Sequence, residues 1–231
     1  MMTLFSFDSK TSVYGTLIKR YKRFLCDIEL DTGELITAHC PNPGRMTSCS
    51  EPGWRVKCSV FDDSKRKYAH RVDLIHNGHC WIGVNPQLAN GMVRTAIESN
   101  IILPELNDEY LKSEVRYGEK SRVDFLHDNG LKKTFVEVKS VTYADDGIGY
   151  FPDAVSVRAT KHLQGLVDMI KDGHRAVVVY CVQRSDITSV LPAKHIDLKY
   201  ALAHEYAEAN GVEFMPLFIS IDGELGKYCV I

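Results

Sequence analysis

The sequence contains no Cys-x-x-Cys pair, and its seven cysteines (Cys26, Cys40, Cys49, Cys58, Cys80, Cys181, Cys229) are an odd number. Both facts argue against a disulfide framework and fit reduced thiols in the cytoplasm. No apolar run exceeds the seven residues from Ala176 to Val182, far below the ~20 that a membrane helix requires. The first eight residues carry no cationic segment and no long apolar core, so no secretory signal is expected. Charge of either sign is not in excess: 28 Lys/Arg stand against 30 Asp/Glu, a net charge of −2. Three nucleotide and hydrolase signatures are also missing. Gly147-Ile148-Gly149 lacks the third glycine of a dinucleotide fingerprint, Gly118-Glu119-Lys120-Ser121 lacks the phosphate-loop spacing, and no Gly-x-Ser-x-Gly occurs. His76, His79 and Cys80, even with His39-Cys40, lack the paired spacing of a structural zinc site and read as ordinary polar residues.

What is present is ordinary in bulk and uneven in distribution. Hydrophobic residues are 45% and charged residues 25%, which excludes disorder, collagen and coiled coil for the whole chain. At roughly 150 residues per domain, 231 residues give one or two domains. Residues 1–80 carry 12 Lys/Arg against 9 Asp/Glu, and residues 81–231 carry 16 against 21. A polyanion therefore meets the first third more readily.

Residues 12–18, 24–30, 35–38, 54–61 and 68–75 read as short strands, with Asp31-Thr32-Gly33 and Pro41-Asn42-Pro43-Gly44 as turn and loop. Five short strands in about 70 residues predict a small β-barrel, with the OB type as one candidate. The texture changes at Asn85-Pro86, a helix start, and the helix is expected to run to about residue 100. Strands follow at 114–117, 122–127 and 134–141, with Asp128-Asn129-Gly130 as a hairpin turn. Residues 142–155 read as a loop. Ser156 caps a helix to about residue 170, whose Leu163, Leu166, Val167 and Ile170 share a face. Residues 176–182 form a strand covered on both sides. A helix at 197–210 and a strand at 212–221 complete a mixed sheet with helices on its faces, an α/β (α+β) arrangement. The expected domains are 1–84 and 85–231.

The chemistry-bearing stretch is Ser121-Arg122-Val123-Asp124-Phe125 followed by Phe135-Val136-Glu137-Val138-Lys139-Ser140. Strand side chains alternate, so Glu137 and Lys139 project to one side. If the hairpin sets Asp124 against them, two carboxylates and an ammonium converge. Two hard oxygen ligands suit Mg²⁺ or Mn²⁺, with water and substrate phosphate completing the shell. The lysine can then orient or deprotonate water, or neutralise charge on phosphorus. The plainer alternative is an ion pair on a solvated strand face. On the 156–170 helix, Arg158, Lys161 and His162 are read on the face opposite the leucines, as a phosphate-binding trio. In the first third, Arg20-Tyr21-Lys22-Arg23-Phe24 and Lys65-Arg66-Lys67-Tyr68 interleave cations with aromatics, and Arg45 adds to them. Small barrels bind nucleic acid with such surfaces.

At these residues the chain resembles the sugar fermentation stimulation protein A (SfsA) family. The strings are Arg20-Tyr21-Lys22-Arg23-Phe24-Leu25, His39-Cys40-Pro41-Asn42, Ser121-Arg122-Val123-Asp124-Phe125, Glu137-Val138-Lys139-Ser140-Val141-Thr142, Gly149-Tyr150-Phe151-Pro152-Asp153-Ala154-Val155 and Lys161-His162-Leu163. They follow one another in this order, and the resemblance runs over about residues 12–222. The resemblance implies an N-terminal OB-fold and a C-terminal PD-(D/E)XK nuclease-like α/β domain. It also implies a bacterial or archaeal DNA-binding protein tied to regulation of sugar (maltose) catabolism. Asp124 and Glu137 match the acidic metal ligands, Lys139 the motif lysine, and Arg158, Lys161 and His162 the basic helix. Two positions depart from the pattern. Thr95 stands where the family usually has a helix glutamate, with Glu98 one turn on as the possible replacement, and Pro43 stands where threonine is commoner. A DNA-binding regulator, a Mg²⁺-dependent nuclease and a two-domain scaffold with an inert ion pair all remain open at this stage.

Overall fold

The computed structural model describes residues 2–7, 11–106, 108–118 and 121–231. The Gly118–Ser121 stretch, which lacks phosphate-loop spacing, includes Glu119 and Lys120, which lie outside the described residues, as do Met1 and Asp8 of the leading segment.

A short strand, β1 (Thr3–Ser6), precedes β2 (Ser12–Tyr21), β3 (Leu25–Leu30), β4 (Leu35–His39), β5 (Arg55–Val60) and β6 (His70–His76). β2 pairs antiparallel with both β3 and β5, β3 with β4, and β5 with β6. β4 then meets β6 in parallel at His39 and Arg71. That contact closes the five strands into a barrel, the OB fold, whose closure leaves no long edge open. The alternating apolar positions point inward: Leu17, Ile28, Val56, Val72 and Ile75 are fully buried. Gly15 sits where β2 and β3 approach most closely, and a Cβ there would lie 2.4 Å from the Glu29 carbonyl oxygen. A hairpin strand, β7 (Trp81–Gly83), extends β6.

The second body begins with α1 (Leu88–Glu98), preceded by a turn in which the Asn85 side chain accepts the Gln87 amide. The antiparallel strands β8 (Leu111–Tyr117) and β9 (Ser121–Asp128) lead to β10 (Lys133–Val141). A small hairpin of β11 (Tyr143–Asp145) and β12 (Ile148–Phe151) follows, then α2 (Val157–Lys171) and β13 (Arg175–Val182). β14 (Ser189–Pro192) joins β12 in parallel, and α3 (Leu198–Ala209), β15 (Glu213–Asp222) and β16 (Lys227–Val230) end the chain. The main sheet has seven strands in the order β1-β16-β15-β13-β10-β9-β8, with β10, β13 and β15 parallel. α1 covers one face over Val136, Val138, Val177 and Val179. α2 covers the other over Phe135, Val141, Val178 and Tyr180. This burial on both sides explains the unbroken apolar run of β13. Ser156 caps α2 by accepting the Ala159 amide, and Asp197 caps α3 at Tyr200 while also accepting the Ser156 amide. One carboxylate thus fixes the starts of two helices.

The structure corrects three expectations. The span 1–84 is not all barrel, because Thr3–Ser6 pairs with Lys227–Val230 and places Leu4 in the core under α1. An apolar edge strand finds its partner across the whole chain, which local pattern cannot show. The stretch 142–155 is not all loop but carries β11 and β12, whose acidic and glycine-rich text hides their pairing. The first helix starts at Leu88 rather than beside Asn85-Pro86, which form its leading turn. Among the described residues no helix is long and apolar enough to cross a membrane.

Candidate active site

β9 and β10 run as a ladder from Lys133 opposite Asp128 to Val136 opposite Phe125, and there the pairing stops. One more step in that register would set Glu137 opposite Asp124. Instead the strands part, and the Asp124 carboxylate fills the gap. Its Oδ2 accepts the Val138 amide at 2.7 Å, the hydrogen bond a continuing ladder would have taken. Its Oδ1 accepts Nδ2 of Asn90 at 2.8 Å, from the first turn of α1.

Glu137 projects toward α2, with Phe135 and Val141 on the same face. Its side chain is 3% exposed. Oε1 accepts Lys139 Nζ at 2.5 Å and is bonded to Nδ1 of His162. Oε2 is buried with no partner, a costly state for a carboxylate oxygen and one that calls for a ligand. Arg158 Nε stands 3.4 Å from His162 Nε2, outside this buried pair.

The two carboxyls are pushed apart in acidity. Burial alone would raise Glu137, but the His162 hydrogen bond and the Lys139 charge outweigh it and hold the group below its ordinary value. Burial and then the Glu137 charge push Asp124 up, and the Val138 and Asn90 hydrogen bonds offset this only in part. Tyr117, deep under α2, is raised to about 12 by burial and then by the same glutamate. Burial and then the Glu137 charge raise Asp124 and Tyr117, whereas Glu137, despite its burial, is lowered by the His162 hydrogen bond and the Lys139 charge.

The other sequence candidates separate into groups. His162 is buried on the leucine side of α2, not opposite it, because its ring reaches inward to Glu137. It is therefore a partner of the carboxylate and not a phosphate contact. Arg158 and Lys161 are exposed. Arg20 is also not free for phosphate: its guanidinium donates to the carbonyls of Arg23, Asn42, Gly44 and Arg45. It shapes the 41–45 loop. Lys22, Arg23 and Arg45 stand at the surface, the first two in a left-handed turn with φ of 50° and 67°. On the far loop, Lys65 and Lys67 are exposed and Arg66 lies 3.9 Å over the Phe61 ring. Glu98 is bound to Arg94 and Thr95 to the Gly91 carbonyl, so neither reaches Asp124. Asn90 does, and the sequence reading missed it. Its only signal was a polar residue on an otherwise buried helical face.

These motifs, placed in this order on a barrel and a helix-covered sheet, match two family models. The SfsA N-terminal OB domain matches residues 18–84, and the Sugar fermentation stimulation protein RE domain matches residues 87–224. The chain belongs to the SfsA family. A Sugar fermentation stimulation protein homolog from Shewanella frigidimarina is 50% identical over 204 residues, 87% of each chain. One from Geotalea daltonii is 46% identical over 201 residues, again 87% of each. The solved structure of Pyrococcus furiosus SfsA in complex with Ca²⁺ superposes with a TM-score of 0.86 at 25% identity. It covers 100% of this chain and 96% of that one.

Proposed function

We propose that this protein binds nucleic acid, DNA in the first instance, and hydrolyses its phosphodiester bonds with Mg²⁺ or Mn²⁺ at Asp124 and Glu137. The observation that carries this reading is the partnerless, buried Oε2 of Glu137 beside a second carboxylate and a lysine. An ion pair with Lys139 and His162 accounts for Oε1 of Glu137 and leaves Oε2 open. Hard carboxylate oxygens fit a hard divalent cation, and the archaeal relative was solved with Ca²⁺, an ion of the same class. Among the described residues no group of three or more His, Cys, Asp or Glu side chains gathers around one point. The protein thus offers few ligands, and weak, water-rich binding is expected.

A cation bound there would supply Lewis-acid polarisation of a phosphoryl oxygen and a more acidic water. The chain's own groups do the rest. His162 and Lys139 hold Glu137 ionised and fix which of its oxygens remains open. The Val138 amide and Asn90 hold Asp124 in the gap between the strands. Lys139 Nζ, on the same face as Glu137, is placed to hold a water or to neutralise charge developing on phosphorus.

The relatives are named for stimulation of sugar fermentation. A second reading, a DNA-binding regulator of sugar (maltose) catabolism, is favoured by the exposed cations Lys22, Arg23, Arg45, Lys65 and Lys67, since regulation needs cationic surface alone. Incubation of labelled DNA with Mn²⁺ or with EDTA separates the two. Cleavage with Mn²⁺ that is lost in Glu137→Gln and in Lys139→Met, with binding intact in both, is the expected result. Binding by the wild-type protein without cleavage in any divalent metal would leave only the regulator.

A further inference from the structure

Two cavities meet where the barrel abuts the second body. One, of about 460 Å³, is lined by Arg20, Arg23 and Arg45 on the barrel side and by Ala154 and Val155 across from them. The other, of about 420 Å³, is lined by Tyr143, Tyr150, Phe151 and Pro86, with Ser140 and Ser156 at its margins. Pro43, Gly44, Ala154 and Val155 line both, so the two form one continuous cleft.

Its two halves differ in chemistry. In the cationic half, Arg20 is bound to loop carbonyls, whereas the side chains of Arg23 and Arg45 make no hydrogen bond or ion pair within the described chain. In the other half, Tyr143 and Tyr150 face each other across β11 and β12 with ring centroids 5.5 Å apart. His195 braces Tyr143 by a 3.0 Å hydrogen bond between Nε2 and the hydroxyl and meets Tyr150 edge-on at 5.2 Å. Between the halves stands Val155, apolar yet 66% exposed. The loop that forms the barrel wall is held against the second body. The Asp153 carboxylate accepts the Met46 amide and lies so near Gly44 that a Cβ would be 2.2 Å from its oxygen. The walls are fixed, and each cavity has the size of a small-molecule site, roughly 300–1,000 Å³. That is room for a nucleotide or two.

Free guanidiniums leading into paired aromatic rings form the pattern that recognises single-stranded nucleic acid: cations follow the phosphates, and rings stack on bases that pairing would hide. We infer that this cleft binds a single-stranded segment, with Arg23 and Arg45 on phosphates and Tyr143 and Tyr150 on bases. The cleft delivers that strand to the carboxylates. Ser140 lies three residues beyond Glu137 on β10, about 10 Å along the strand at ~3.3 Å per residue though on the alternate face, and Ser156 at the other margin caps the helix whose His162 bonds Glu137. The inference rests on the nucleic-acid reading above and adds its substrate class: an unpaired strand, an overhang or a flap rather than continuous duplex.

The test is fluorescence anisotropy in EDTA, so that binding is read without cleavage. The probes are one labelled DNA sequence as single strand and as blunt duplex, and the matching single-stranded RNA. Tenfold or greater preference for the single strands is expected, and the RNA arm tells which sugar is favoured. Tyr150→Ala should weaken single-strand binding about 5- to 150-fold, the range for loss of one stacked base, while Tyr150→Phe should retain it. Arg23→Ala combined with Arg45→Ala should flatten the log–log salt dependence by about 1.4, at ~0.7 per phosphate contact on single strands. Circular dichroism confirms that each variant is folded. Duplex bound as tightly as single strand, or folded Tyr150→Ala and arginine variants that bind like wild type, would overturn the inference. Either failure leaves metal-dependent cleavage untouched, because that is scored separately through Glu137→Gln with Mn²⁺.

Discussion

Asp124 is held where a carboxylate is uncomfortable, and the discomfort has a measurable sign. Burial and the Glu137 charge raise its pKa above the ordinary 3.8. A carboxyl with a raised folded pKa favours the native state when protonated, and its ionised form weakens the fold as pH rises through that value. At pH 7 Asp124→Asn should therefore raise the melting temperature, with the Asn90 amide turning to meet the new side chain. A gain of about 1 kcal/mol would read as about 2–4 °C in a chain of this size. The gain should fade as pH falls toward 3.8, where the wild-type group is neutral. Millimolar Mn²⁺ should stabilise the wild type and leave the variant unmoved. A variant that melts lower at pH 7 than at pH 4 relative to wild type would show that Asp124 is an ordinary structural acceptor. Glu137 carries the opposite sign: its depressed pKa contributes stability above the ordinary 4.5 that is lost as pH falls through the folded value. The site thus combines one carboxylate the fold prefers charged with one it prefers neutral, a division common where acids do chemistry.

α2 carries the site on one flank and the core on the other. Leu163 and Leu166 are fully buried and His162, one position away, reaches Glu137. Leu166→Ala should cost on the order of 2–5 kcal/mol, and Ser156→Ala about 1 kcal/mol through the lost cap at Ala159. Lys161→Ala, at an exposed position, should leave stability within about 0.5 kcal/mol of wild type. Chemical denaturation of the three variants reads these costs directly, and a large cost at Lys161 would mean the helix is rotated from the geometry described. Periodicity made the leucine face of α2 legible, as it did the inward residues of the barrel strands, because both are set by local spacing. It could not place His162, since a residue 100° from the leucines is either flank or solvent until a partner is known. The pairing of Asp124 with the Val138 amide was hidden for a related reason. Alternation gives the face of a strand residue, not the point at which two strands part. β1 and β16 escaped because each is four residues long, and the partner of β1 lies more than 200 residues away.

Polar contacts join the barrel and the second body at several places, and one group of them centres on an arginine. Arg184, with a side chain only 4% exposed, forms a two-pronged pair with Asp186, both contacts at 2.6 Å. The same guanidinium donates to the Thr142 carbonyl at 2.7 Å and to the Ser48 carbonyl of the barrel at 3.5 Å. Asn77 of the barrel donates to Asp186 at 2.7 Å, and Ser48 Oγ accepts the Ala144 amide. This network holds the side of the junction that borders the cleft, while on the β6 side Leu74 and Trp81 join the apolar core of the second body. Arg184→Met keeps an unbranched apolar stem and removes the donors, leaving Asp186 and two carbonyls short of partners. The loss should be about 3 kcal/mol, the lower end for breaking a buried pair, because Asn77 still serves the carboxylate. More telling is the form of unfolding. The wild type should melt in one transition, whereas Arg184→Met should melt in two as barrel and sheet uncouple. Acid should act in the same way. Burial alone would raise Asp186, but the Arg184 hydrogen bonds and charge bring it from 3.8 to about 2. Its contribution is present above pH 3.8 and disappears as pH falls through about 2. Calorimetry across that window should show the wild-type peak broadening and splitting, while Arg184→Met stays split throughout. A variant that still melts as one cooperative unit at neutral pH would show that the two bodies are coupled elsewhere, through Lys57 and the Gly223 carbonyl at the opposite end of the interface.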